Sequence, residues 1–132
     1  MLCNKTILGI IFISGTLIFL LSGCYKDKTV IFDTGTEITR PVTFSNDIIP
    51  MFSKSCALSG CHTSGGKSPD LSAANAYNSM KVGNFFNTTN PAGSVIYLWM
   101  TGKKSAPMPV GGINKDYNAL MLAWIKQGAN NN

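Results

Sequence analysis

The 132-residue chain contains a single histidine, and its charged side chains make up only 13% of the total, about half the usual share. Charge of one sign is never blocked: the only adjacent pair of like charges is Lys103-Lys104. This excludes a long acidic or basic disordered tail. The scattered basic residues also lack the groove-sized clustering that a nucleic-acid surface needs. No segment repeats at a period of about 20 to 50 residues, which excludes solenoids and propellers. A second long apolar run is missing as well, so the chain is not a polytopic membrane protein. What remains is one small domain at most, with four cysteines and one histidine to account for.

The apolar run lies at the N-terminus. Lys5 is followed by a charge-free stretch from Thr6 to Gly23, in which Ile7 to Leu21 is almost wholly apolar, the layout of a secretory signal. Fifteen helical residues span roughly 22 Å, short of the roughly 30 Å hydrocarbon core, so a permanent span is the weaker reading. The run closes on Leu21-Ser22-Gly23-Cys24, which resembles the lipobox of bacterial lipoproteins: an aliphatic residue, two small ones, then the cysteine that is lipidated and becomes the first residue. An uncleaved anchor helix with an incidental cysteine is the alternative, and either way the remainder lies outside the cytoplasm. The chain thus divides into a signal at 1–23, a tether at 24–40 and a domain at 41–132. Loss of Lys5 with the signal leaves ten basic and six acidic side chains, a formal charge of +4. That charge reads either as a solvated basic face or as electrostatic steering toward an acidic protein partner. A flexible tether of this length reaches roughly 20 to 25 Å from the membrane surface.

Beyond Pro41 the pattern predicts four short helices and long loops, without alternating strands. Ser45-Asn46-Asp47 offers a cap and an acidic first turn for a helix to Ser55, with Pro50 tolerated early. Ser72 is expected to cap a second helix to about Lys81. Ser94 starts a third through Met100. Asn114 caps the clearest one, in which Tyr117, Leu120, Met121, Trp124 and Ile125 recur at helical spacing before Gly128 stops it. The two long loops, 82–93 and 102–113, point to function, and such short helices need something further to fill the interior.

The first helix leads into Cys56-Ala57-Leu58-Ser59-Gly60-Cys61-His62. A Cys56–Cys61 disulfide suits an oxidising compartment. Zinc lacks a fourth ligand, because no second histidine exists and the other cysteines are Cys3 and Cys24. A catalytic Cys-His pair lacks an orienting acid. Covalent attachment of haem uses all three residues: two thiols add to the porphyrin vinyl groups, and the next histidine binds iron. Here the chain resembles the c-type cytochromes, with four residues rather than the usual two between the thiols. The resemblance extends from about Thr43 to Ala129. It includes Ala106-Pro107-Met108-Pro109-Val110-Gly111-Gly112, which is similar to the loop that gives small cytochromes c their distal methionine, and the closing Trp124-Ile125-Lys126-Gln127-Gly128-Ala129.

That resemblance implies an all-α, cytochrome c-like fold of about four short helices around one covalent haem c. Cys56 and Cys61 would hold the haem, His62 and Met108 would ligate iron, and a backbone carbonyl near Pro69 would accept the free ring N–H of His62. The first and last helices would cross, with Phe44, Ile48, Ile49 and Phe52 facing Leu120, Met121, Trp124 and Ile125. Met121 reads as core, while Met80 and Met100 occupy helix faces and are the other methionines that a Met108 variant with an unchanged spectrum would point to. The implied function is single-electron transfer, not catalysis, to a redox partner protein, by a monomer or by a subunit of a larger redox complex. Cys24 would anchor it to the membrane on the periplasmic side of the cell envelope, with Tyr25, where some bacteria place an inner-membrane-retaining Asp, leaning toward the outer membrane. Two other readings stay open: a five-coordinate haem domain for peroxide or gases, and a haem-free interaction module stapled by a disulfide.

Overall fold

The computed structural model describes residues 35–132. The expected signal at 1–23, the lipidation site Cys24 and most of the tether lie outside the described residues. Those described are helical without any strand, so this part of the chain is all-α. A π-helical turn, Phe44–Ile48, runs directly into α1 (Ile49–Ser55). Next come α2 (Ala76–Val82), a 3₁₀ turn (Pro91–Gly93), α3 (Val95–Met100) and α4 (Lys115–Lys126). Among the described residues no helix is long and apolar enough to cross a membrane.

Thr43, rather than the expected Ser45 or Asn46, starts the first helical segment. Its hydroxyl accepts from the Asn46 N–H, and its own N–H donates to Asp47 Oδ2 at 2.8 Å. Asp47 is also bridged to Arg40 on the chain entering the helix. The wide turn has a local cause: the Ile49 N–H reaches back five residues to Phe44 O, just before Pro50, which has no N–H to continue the ladder and whose ring crowds the preceding turn.

α2 begins at Ala76, after Asn75 rather than after the expected cap Ser72. The Ser72 hydroxyl donates to Asp70 Oδ1 at 2.6 Å, and Asp70 also receives the Ser72 N–H and the Asn75 amide, so residues 70–75 form a side-chain-bonded turn ahead of the helix. Ser94 precedes α3 as expected but does not cap it by its side chain; fully buried, its hydroxyl accepts the Asn87 N–H and fastens the loop before the 3₁₀ turn. Asn114 caps α4 by accepting from the N–H groups of Asp116 and Tyr117.

The core joins the first and last helical segments of the described residues. Phe44 and Phe86 each stand 5.2 Å, centroid to centroid, from the Trp124 ring, and Tyr77 closes the cluster. Ile48, Phe52, Met80, Met121 and Ile125 are buried around it. Main-chain and amide bonds lock the same junction: Val42 N–H to Gln127 Oε1, Phe44 N–H to Asn132 Oδ1, and Ser45 N–H to Asn132 O. Residues 35–40, expected as the end of the tether, run along α4. The Gly35 N–H bonds to Lys115 O, the Gln127 amide donates to Arg40 O, and Ile38 packs on the core.

Candidate functional site

The end of α1 delivers Cys56, whose N–H shares the Phe52 carbonyl with Ala57. The chain then turns out and back. Cys61 N–H bonds to Leu58 O, Gly60 adopts φ +76° with open space around it, and His62 N–H returns to Cys56 O at 3.1 Å. The four residues between the thiols are thereby spent on a surface loop, with Leu58, Ser59 and Gly60 exposed. A second ring of bonds secures the exit: Lys67 N–H to Cys61 O and Leu71 N–H to His62 O. Gly66 sits so close to the Cys61 carbonyl that a Cβ there would overlap it.

His62 Nδ1 lies 3.0 Å from the Pro69 carbonyl and 3.2 Å from that of Lys67. Carbonyls only accept, so these are hydrogen bonds only when Nδ1 carries the hydrogen, which leaves the Nε2 lone pair of the neutral ring for a ligand. This is the carbonyl arrangement expected around Pro69.

Cys56, Cys61 and His62, neighbours in sequence, and Met108, distant from them, all line one cleft of about 320 Å³. Its remaining walls are largely apolar, with Phe52, Leu71, Phe85, Ile96 and Trp99 prominent. Met108 comes from the loop after α3, where its N–H donates to Trp99 O at 3.1 Å. Lys67, the only charged lining residue, was not singled out from the sequence, and Met100, read there as a methionine on a helix face, joins Ile96 and Trp99 on the cleft face of α3. The i, i+3, i+4 spacing of those three carried the signal for Met100. Met51, Met80 and Met121 are buried outside the lining.

Both thiols are free, not joined. Burial, and next the neighbouring Cys61, push the Cys56 thiol up to about 11 from 9.0. It is therefore a protonated thiol at neutral pH, the opposite of an activated nucleophile. Among the described residues no three His, Cys, Asp or Glu side chains converge on a metal-ion position. The donors here, one imidazole and thioethers with two thiols beside them, fit an iron that brings its own macrocycle rather than a bare ion. No known family model matches the chain, and no curated protein or solved structure matches it either.

Proposed function

We propose that this chain is a lipid-anchored, c-type cytochrome that carries single electrons on one covalent haem. The observation that carries the reading is the convergence of Cys56, Cys61, His62 and Met108 on one apolar cleft, with the His62 ring oriented by a backbone carbonyl. Each thiol would add across a vinyl group, forming a carbon–sulfur bond while its hydrogen passes to the other vinyl carbon. Haem c supplies the one-electron couple when bound. The Pro69 carbonyl holds the imidazole in one tautomer and orientation, so little rearranges when the charge on the site changes. Met108 would offer the iron a thioether, and a thioether ligand in a largely apolar cleft would favour a higher reduction potential. The free thiols support this reading over a disulfide staple, and Met108 in the lining supports it over an open distal site. Cys24 would hold the domain on the periplasmic side of the envelope, where its net positive charge would steer an acidic redox partner toward it.

The test is the absorption spectrum, oxidised and reduced, and the intact mass of protein made in a host that attaches haem c. Addition chemistry predicts a mass higher by one whole haem and a low-spin, six-coordinate ferrous spectrum. A colourless product lighter by two hydrogens would establish the disulfide module instead. A high-spin ferrous spectrum would establish the open-site domain.

A further inference from the structure

The cleft contains one thioether more than the proposed function uses. Met100 stands on the last turn of α3, and Ile96, Trp99 and Met100 all line the cleft, so its side chain lies on the helix stripe turned toward that space. The carbonyl of Trp99, the residue before it, accepts the Met108 N–H, which ties the backbone of one methionine to the neighbour of the other. The two differ in how they are held. Met100 is 5% exposed and fixed by a helix within the core cluster. Met108 is half-buried, on a loop bounded by Gly102 at φ +70° and Gly112 at φ +105°, beside Val110, which is 84% exposed. A ligand on such a loop is the one more easily withdrawn.

We propose that Met100 is a reserve axial ligand: it takes the sixth position whenever Met108 leaves. This inference rests on the haem reading above. A methionine side chain has three rotatable bonds and a polarizable sulfur, so a helix-borne thioether can adapt its reach without moving the backbone. The consequence is a carrier whose iron stays closed to peroxide and diatomic gases while the Met108 loop moves, which keeps an electron-transfer protein from acquiring side reactions.

Haem-loaded protein in three forms tests this: Met108→Ala, Met100→Leu, and the double variant, the leucine keeping roughly the volume of methionine. Spectra and carbon monoxide titration of the ferrous forms are the readouts. Met108→Ala should stay low-spin with a thioether-to-iron charge-transfer band in its oxidised form, and its carbon monoxide affinity should be at least about tenfold weaker than that of the double variant, as expected when the sixth position is open less than a tenth of the time. Met100→Leu alone should retain the native spectrum, which also shows that the substitution leaves the fold intact. A high-spin Met108→Ala that binds carbon monoxide as tightly as the double variant overturns the proposal while leaving the cytochrome reading in place. So does a low-spin double variant, which would assign the position to Lys67 or another group, or loss of the native band in Met100→Leu, which would make Met100 the working ligand. A wild-type protein without haem overturns both.

Discussion

His62 owes its orientation to two backbone carbonyls, those of Pro69 and Lys67, and the turn that presents them closes only because Gly66 has no side chain. Gly66→Ala should therefore cost about 1–3 kcal/mol, the usual penalty of forcing atoms into filled space, read as a lower midpoint in urea. Cys56, Cys61 and His62 were legible in the sequence because their chemistry is rare in this chain and contiguous. Met108 was legible because prolines flank it. Met100 was legible only as a methionine on a helix face, because whether that face turns to a cleft or to the core is decided by what packs on the other side, and Lys67 was not singled out, because a lone lysine in a loop looks like any solvated charge. Asp70 escaped for a similar reason, since its bonds to Ser72 and Asn75 exist only once the turn has formed.

At the level of elements, the Thr43 start of the first helical segment makes two predictions. Thr43→Ala removes the hydroxyl that accepts the Asn46 N–H and should lower stability by about 1 kcal/mol in denaturant unfolding, the usual value of an N-cap. The Arg40 guanidinium, foremost, and the Thr43 N–H hold the Asp47 carboxyl below its ordinary range. A lowered carboxylate pKa gives stability that is present above the unfolded value of about 3.9 and is lost as pH falls through the folded value. Thermal melts of Asp47→Asn across that acid range should accordingly fall less steeply with pH than those of the native chain. α4 could be read almost residue by residue, because a side-chain cap, five apolar positions at helical spacing and a glycine stop agree. The start of the first helical segment was misplaced by two to three residues because Pro50 forces a wide turn that shifts the cap upstream, and α2 lost its expected first turn to the side-chain bonds of Asp70.

For the described residues as a whole, Trp124 is where the first and last helical segments meet, in ring contact with Phe44, Tyr77 and Phe86 and donating its indole N–H to Asn130 O. Trp124→Ala should cost about 3–5 kcal/mol in equilibrium unfolding, enough to consume much of a small domain's stability. Net positive charge makes a separate prediction for the proposed carrier: the second-order rate of electron exchange with an acidic redox protein should fall as salt is raised from low ionic strength to about 0.15 M, where the screening length shortens to about 8 Å. The junction of Phe44 and Ser45 with Asn132 also has a consequence in time. A chain emerging from its N-terminus presents Cys56, Cys61 and His62 before residues 124–132 arrive, so the bonds that close the first helical segment, among the most distant in sequence, must wait for them. During that interval the two thiols belong to an open polypeptide, reachable from every side by whatever is to be joined to them. Arrival of the last residues then turns an accessible segment into the wall of a cleft.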